Sequence, residues 1–282
     1  MKRLLVFFTA LALFAPLSGA QVREINLGSI FDAAKSVAKS RDVGSMSETD
    51  EIAVGREVAE STFGTYRIIK IEKLQRYLNA VGRWVAMQSD RPELPWHFAV
   101  VESEQVNAFA VPGGSVLVTS GMMNLLSNEA ELACVLGHEI SHVARKHHLT
   151  LLQKETLIQS GAKAVADNIQ GSGAKREAKR FLIGEGSELY ARSLDRGSER
   201  DADNDGVLLA ARAGYDPGAC LFFMQRMANL KQEVGTLSSL YKTHPQAAER
   251  IVDIENALTE LMGVEPGSGA RPILGYTNSA DR

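Results

Sequence analysis

The pentapeptide HEISH, His138 to His142, constrains this chain of 282 residues more than any other stretch. It lies in NEAELACVLGHEISHVARKHH, where apolar residues recur at helical spacing. On a helix, His138 and His142 project from one face, one turn apart, so both imidazoles can bind one zinc ion. Glu139 lies about 100° round the helix, where it can accept a proton from a water on that ion without binding the metal. The pattern therefore predicts a zinc site with a general base.

The alternative is a pair of histidines that bind no metal. The residues around the trio predict a buried helix; they are Leu132, Val135, Leu136, Ile140 and Val143. Because two imidazoles and a carboxylate are costly to bury unless they are paired or bind a metal, the burial favours a metal site. This segment alone leaves both interpretations open.

A catalytic zinc ion usually has three protein ligands and one open position, so a third ligand is expected downstream. The best candidate is Glu199, which stands four residues before Asp203 on a predicted helix in SERDADNDGVLLAARAG. Glu199 can bind the metal, and Asp203 can accept the free ring N–H of a ligand histidine. With Asp201 and Asp205 beside them, the same residues are also compatible with a solvated acidic face.

The first twenty residues, MKRLLVFFTALALFAPLSGA, predict that the protein is exported. Lys2 and Arg3 precede an apolar run, and small residues follow it, so we expect a signal peptide that is cleaved after Ala20. No later stretch is long and apolar enough to cross a bilayer. The net charge of -3 offers no attraction to nucleic acid or to an anionic membrane.

Export bears on the two cysteines, Cys134 and Cys220, because an oxidising compartment allows them to form a disulfide bond. Two other interpretations remain open. The cysteines can be small buried apolar residues, or Cys134, one helical turn before His138, can be a metal ligand. We rank the metal ligand last, because better ligands are present.

The remaining pattern predicts an α+β fold that is mainly helical. Ser47 and Thr49 can cap a helix that begins near Asp50. A further helix, in EKLQRYLNAVGRWVAMQS, is expected to bury its apolar face, including Tyr77. Short β-branched runs between residues 96 and 121, broken by Pro112-Gly113-Gly114, predict two or three strands and a tight turn. Helical periodicity then extends from residue 128 to about residue 262. We expect a small sheet beside the helix that carries HEISH.

Several segments together resemble the M48 family of zinc metallopeptidases, the group of HtpX-like and Ste24-like proteases. NAFAVPGGSVLVTSGMMNLLSNEAELACVLGHEISHVARKHH is similar to the family's strand pair and zinc helix. DRGSERDAD matches its pattern of Arg, two residues, Glu, two residues and Ala-Asp, and THPQAAERI resembles its His-Pro segment. The resemblance covers residues 47–257 and implies a zincin-like domain, which we expect at 47–262, after a helical arm at 21–46 and before a flexible tail at 263–282.

The resemblance also implies roles for individual residues. One zinc ion would be bound by His138, His142 and Glu199, with Glu139 as the base and Asp203 orienting a ligand. His244 would lie near the metal, where it either stabilises the oxyanion or occupies the open position in a resting state; the sequence alone also allows a histidine that caps a helix. Arg196 and Arg250 are expected to form ion pairs. We expect His147 and His148 to interact with the end of the zinc helix, whose dipole favours cations.

The implied function is a zinc-dependent endopeptidase that cleaves unfolded or misfolded proteins in the bacterial periplasm. The chain lacks the spanning helices of the membrane members and the helical repeats of some exported ones. An extended substrate can pair with the strand at 107–111, and residues 149–194 can act as a lid. The expected substrate-binding residues are Asn107, Ala108, Phe109 and Ala110. The alternative is a periplasmic chaperone or outer-membrane assembly factor with little proteolysis, which would not need Glu139 as a base.

Overall fold

The structure is a computed structural model that describes residues 46–63, 66–151, 194–230, 237–244 and 247–263. The predicted signal peptide, nearly all of the N-terminal arm, most of the expected lid and nearly all of the C-terminal tail lie outside the described residues. None of the described helices is long and apolar enough to cross a membrane.

The described part is mainly helical and contains one small sheet, which confirms the predicted α+β class. The elements are, in chain order, α1 (Glu48–Phe63), α2 (Glu72–Ala86), β1 (His97–Val101), β2 (Ala108–Val111), β3 (Ser115–Thr119), α3 (Ser120–Leu125), α4 (Glu129–Ala144), α5 (Arg196–Arg212), α6 (Gly218–Asn229), α7 (Ser238–Thr243) and α8 (Ala247–Met262). As predicted, Ser47 caps α1, because its hydroxyl oxygen accepts a hydrogen bond from Asp50 N at 3.2 Å.

The three strands form a sheet in the order β1-β3-β2. β1 is parallel to β3, and β2 is antiparallel to it. The turn between β2 and β3 contains Gly113 and Gly114, whose φ angles of 81° and 100° lie in the left-handed region that favours glycine. The predicted tight turn is therefore present, and it places β2 at one edge of the sheet.

Helix α2 covers the other edge of the sheet. Gln75 exchanges two hydrogen bonds with the backbone of Val100, and Asn79 does the same with Phe98. These side-chain amides satisfy the outer backbone groups of β1, which would otherwise be open to another strand. One detail of the sequence interpretation was wrong: Tyr77, which we expected to be buried in α2, is exposed.

Helix α4 runs through the centre of the core, and every residue from Glu131 to Val143 is buried. It contacts α5 most extensively, and the two helices approach closely where Gly137 faces Gly206. A Cβ atom on Gly137 would lie 3.0 Å from the carbonyl oxygen of Gly206. A disulfide bond between Cys134 and Cys220 links α4 to α6. These two connections fix the position of the HEISH segment.

Candidate metal centre

His138 and His142 meet at one point because α4 is a regular buried helix. Its first turn is capped by Asn128, whose side-chain oxygen accepts a hydrogen bond from Glu131 N at 2.9 Å. The two Nε2 atoms of His138 and His142 lie 3.0 Å apart. Burial and the neighbouring histidines lower the pKa of His142 well below its usual value, so its ring is neutral, which is the form that binds metal ions.

Helix α5 brings a carboxylate to the same point. Glu199 Oε1 lies 3.5 Å from His142 Nε2, and Glu199 Oε2 lies 3.6 Å from His138 Nε2. The close contact at Gly206 allows this approach, since Glu199 stands two turns earlier on the same helix. Burial disfavours the charged form of Glu199, but the nearby His244 and Arg250 outweigh it and lower the pKa of this carboxyl to about 2.

His244, the residue that ends α7, completes the cluster. Its Nδ1 atom lies 3.2 Å from His138 Nε2 and 3.1 Å from both carboxylate oxygens of Glu199. The four side chains of His138, His142, Glu199 and His244 each offer one ligand atom, and these atoms all lie within 4.8 Å of one another. The structure therefore brings together the residues that the sequence singled out in three separate segments.

The cluster fits a zinc ion in both chemistry and size. Two imidazoles and a carboxylate are typical ligands of catalytic zinc. Bonds of about 2.0–2.1 Å in a tetrahedral site place the ligand atoms roughly 3.3–3.4 Å apart. The distances between Nε2 of His138 and its three neighbours here are 3.0, 3.2 and 3.6 Å. Cys134 is not available as a ligand, because its sulfur is bonded to Cys220.

Glu139 follows His138 directly and lies beside the cluster, with Oε1 3.5 Å from His244 Nε2. Its Oε2 atom is buried and has no hydrogen-bond partner within the described part of the chain. Burial raises the pKa of the Glu139 carboxyl above its usual value, against the opposing effects of His244 and His138. A buried carboxylate with one free oxygen and a raised pKa is suited to accept a proton from water.

Asp203 orients His138 from behind the cluster. Its Oδ1 accepts a hydrogen bond from Nδ1–H of His138 at 3.0 Å, which leaves Nε2 of His138 free to bind a metal. Arg250 on α8 holds Asp203 with two hydrogen bonds of 2.6 and 2.7 Å and also lies 3.1 Å from Glu199. Burial would raise the pKa of Asp203, but the guanidinium of Arg250 outweighs it and holds this pKa far below its usual range.

The structure places His147 differently from our expectation. We predicted a cation at the end of the zinc helix, but Nδ1 of His147 lies 2.9 Å from Nδ1 of His142, and His148 packs its ring against the same residue. Burial lowers the pKa of both His147 and His148, so neither is a permanent cation. No sequence signal was available for this contact, because it depends on the left-handed turn at Lys146. The expected ion pair of Arg196 stays a prediction.

Comparison with known families decides the identity of this arrangement. A family model described as Peptidase family M48 matches residues 72–258, which include all four ligand candidates, Glu139 and Arg250. The chain belongs to this family. Membership confirms the resemblance to the M48 family that was found in the sequence.

Among the M48 relatives are two proteins named beta-barrel assembly-enhancing protease. The one from Yersinia pestis is 28% identical over 229 residues, which are 77% of this chain and 45% of the relative. The one from Escherichia coli K12 is 25% identical over 215 residues, 75% of this chain and 44% of the relative. The mitochondrial metalloendopeptidase OMA1 of Schizosaccharomyces pombe is 28% identical over 200 residues, 71% of this chain and 58% of the relative. This chain thus spans about half the length of these relatives.

Strand β2 of this M48 domain lies next to the metal cluster. Thr119 N donates to the carbonyl of Asn107, so in the alternating antiparallel pattern the backbone of residue 109 also faces β3. The N–H and C=O groups of Ala108 and Ala110 therefore face the outer edge. Ala108 also lines the cavity that contains Glu139 and His244.

The cavity of the M48 site is mainly apolar away from the ligands. It extends from the metal cluster between α4, α6, α7 and α8. Its apolar wall includes Met122, Phe223, Met224, Met227, Leu240 and Ile254. An apolar cavity that opens beside a metal cluster and an edge strand can hold a side chain of an extended peptide.

Proposed function

We propose that this protein is a zinc-dependent endopeptidase that cleaves unfolded or misfolded proteins in the bacterial cell envelope. One observation carries the proposal: a cluster of His138, His142 and Glu199 lies beside a buried Glu139 whose Oε2 has no hydrogen-bond partner in the described residues. A metal site that only stabilises a fold has no need for a carboxylate in that place.

Each residue of the site has a separate role in the proposed hydrolysis. Zinc, when bound by His138, His142 and Glu199, polarises the scissile carbonyl and lowers the pKa of water. Glu139 then accepts the proton of the attacking water at Oε2 and donates it to the leaving amine. Asp203 keeps the ring of His138 in place by accepting its Nδ1 proton.

His244 lies close both to the proposed metal ligands and to the proposed base, Glu139. Its Nδ1 atom, 3.2 Å from His138 Nε2, supports the proposal that it holds the fourth ligand position in the resting protein. Its Nε2 atom lies 3.5 Å from Glu139 Oε1. If a substrate displaced His244 from the ligand atoms, the His244 ring would be available to donate a hydrogen bond to the developing oxyanion.

We propose that the substrate binds as an extended chain along β2. The outward backbone groups of Ala108 and Ala110 can pair with a peptide strand, and Asn107 and Phe109 hold β2 against β3. Main-chain pairing gives affinity with little dependence on side chains. Most backbone groups of a folded protein are already paired, so this mode favours unfolded substrates.

The proposed compartment is the periplasm, and the outer-membrane assembly machinery is a proposed partner. The predicted signal peptide at residues 1–20 and the disulfide bond between Cys134 and Cys220 support an oxidising compartment. The names of the Yersinia pestis and Escherichia coli relatives refer to beta-barrel assembly. The alternative, an assembly factor with little proteolysis, shares this link to assembly, but the same names call both relatives proteases.

Cleavage of an unfolded protein tests the proposal. The full chain, stripped of metal with a chelator and then dialysed, is incubated with fluorescent casein before and after one equivalent of zinc is added. We expect no cleavage by the metal-free protein, recovery with zinc, and much slower cleavage of a compactly folded protein. Equal cleavage of casein with and without metal would contradict a zinc peptidase, and binding of casein without cleavage would favour the assembly factor.

A further inference from the structure

The two histidines of HEISH are held by different partners. Nδ1 of His138 meets the carboxylate of Asp203 at 3.0 Å, whereas Nδ1 of His142 meets another ring nitrogen, Nδ1 of His147, at 2.9 Å. His142 is completely buried. A buried N–H that lacks a partner is costly, so the contact with His147 determines how His142 can be protonated.

The proton positions follow from the chemistry of the cluster. Nε2 of His142 lies 3.0 Å from His138 Nε2 and 3.5 Å from Glu199 Oε1, among the ligand atoms. A ring nitrogen that binds a metal carries no proton, so a neutral His142 carries its proton on Nδ1. In a contact between two ring nitrogens, one donates and the other accepts. His147 Nδ1 must therefore be the acceptor.

We propose that His147 is a positioning residue of the metal centre: its Nδ1 accepts the hydrogen bond from Nδ1–H of His142 and thereby keeps Nε2 of His142 directed at the metal. This inference rests on the proposed zinc site. The two ligand histidines then differ in their supports, since His138 donates to an anionic carboxylate and His142 donates to a neutral ring.

The turn after α4 places His147 next to His142. Lys146 N donates to the carbonyl of Val143 at 3.0 Å, and Lys146 adopts a φ of 57°, in the left-handed region that a lysine seldom occupies. This conformation ends the helix and turns the chain back toward its last turn, so that the next residue, His147, faces His142.

An ion pair between Lys146 and a buried carboxylate holds this turn. The amine of Lys146 lies 3.3 Å from Glu51 of α1, which is fully buried and also pairs with Arg91 at 2.9 Å. Arg91 in turn lies 3.4 Å from the carbonyl of Val143 at the end of α4. An unfavourable backbone conformation persists when its surroundings fix it in this way. The contacts among Lys146, Glu51 and Arg91 therefore fix the turn that positions His147.

Three variants of the full chain separate the hydrogen bond from simple packing. His147→Leu removes the acceptor. His147→Asn keeps one, because the amide oxygen of asparagine can occupy the place of Nδ1. His148→Leu is the matched control, because the ring of His148 packs against His142 with centroids 5.5 Å apart. The zinc dissociation constant of each variant is measured by competition with a chromogenic chelator, and the absorbance spectrum of the cobalt-substituted protein reports the ligand geometry.

We expect His147→Leu to weaken zinc binding about 10–100-fold, the usual effect of losing a partner behind a ligand histidine. His147→Asn and His148→Leu are expected to remain within about threefold of the wild type, with an unchanged cobalt spectrum. A zinc affinity of His147→Leu equal to that of the wild type would overturn the proposal. So would equal losses in His147→Leu and His147→Asn, which would indicate packing.

Two further variants keep the outcomes distinct. Circular dichroism of the metal-free proteins shows whether His147→Leu folds; if it does not, His147→Gln decides, because its amide reaches the place of Nε2 instead of Nδ1 and should also weaken zinc binding. Glu199→Ala tests the metal centre itself. If Glu199→Ala binds zinc as tightly as the wild type, the proposed site is wrong. If Glu199→Ala binds zinc weakly and His147→Leu binds it normally, only the role of His147 is wrong.

Discussion

At the scale of single residues, Arg250 shows how the protein keeps two carboxylates ionised beside its histidines. The side chain is buried and donates to Asp203 while it lies 3.1 Å from Glu199. Burial opposes the charge of Arg250, but the two carboxylates outweigh it and raise its pKa above the usual value. The guanidinium therefore stays charged under all ordinary conditions, and it balances negative charge that would otherwise be buried alone.

Removal of Arg250 should destabilise the fold strongly. Arg250→Met leaves Asp203 buried without its cation, and breaking a buried pair in this way typically costs about 3–5 kcal/mol. The free energy of unfolding is measured by urea titration of the metal-free proteins. The control is Arg200→Met, since Arg200 and Asp253 form an exposed ion pair between the same two helices, worth at most about 1 kcal/mol. Equal effects of the two substitutions would contradict this account.

The relative positions of residues within one helix could be predicted from the sequence, whereas some contacts between segments could not. The spacing of His138, His142 and Glu139 is local to one helix, so the sequence predicts their relative positions. A hydrogen bond from a ligand histidine to Asp203 was expected, and the structure places His138 Nδ1 3.0 Å from Asp203 Oδ1. His147 was misinterpreted, because its contact with His142 depends on a left-handed turn at Lys146 that no sequence pattern indicates.

At the scale of elements, the contact between α4 and α5 determines whether the cluster can form. Both helices present a glycine at the closest point, and a Cβ on Gly206 would lie 3.2 Å from His138 N and 3.4 Å from Cys134 O. These neighbours are backbone atoms of a buried helix, so they cannot move aside as a flexible side chain can. The helices must therefore separate if either glycine gains a side chain.

Gly206→Ala should weaken both the fold and the metal site. Overpacking of this kind costs about 1–3 kcal/mol, and the shift of α5 moves Glu199 away from the histidines. Urea unfolding and zinc affinity are measured together. Gly197→Ala on the same helix is the control, because its Cβ would meet only the side chain of Asp195 at 3.3 Å. If Gly206→Ala matches Gly197→Ala in both measurements, the close approach has no such role.

The existence of the elements could be predicted from sequence, but their contacts could not. Helical periodicity indicated α2, α4 and α5, and β-branched runs around Pro112-Gly113-Gly114 indicated the hairpin. The Gly137–Gly206 contact was missed, because periodicity shows which face of a helix is apolar but not which helix covers it. The expectation that Tyr77 is buried failed for the same reason, because the sequence does not show how much of the surface of α2 other elements cover.

At the scale of the whole molecule, the sheet has one edge covered and the other beside the metal cluster. Side chains of α2 satisfy β1, whereas β2 is the other edge strand and its Ala108 lines the cavity. An edge strand beside a cleft is a position where an extended peptide can pair. The sequence predicted a small sheet beside the helix that carries HEISH, but which edge of that sheet lies next to the metal cluster follows only from the fold.

Ala110→Pro should impair substrate binding more than metal binding. Proline removes the outward N–H of residue 110, and edge strands tolerate proline where that group is not used within the sheet. We expect KM for an extended peptide to rise about tenfold, the equivalent of about 1.4 kcal/mol or one hydrogen bond, with unchanged zinc content. Ala110→Val, which keeps the N–H, is the control. An unchanged KM in Ala110→Pro would show that substrates do not pair with β2.

The most direct test of the zinc peptidase mechanism is the rate of casein cleavage by Glu139→Gln, with zinc content measured in the same samples. Glutamine fills the same space but cannot accept a proton, and none of the ligand residues is changed. The account predicts about one zinc ion per chain in both proteins and a cleavage rate that falls at least about 10²-fold in the variant. A variant that keeps its zinc and cleaves casein at the wild-type rate would contradict it.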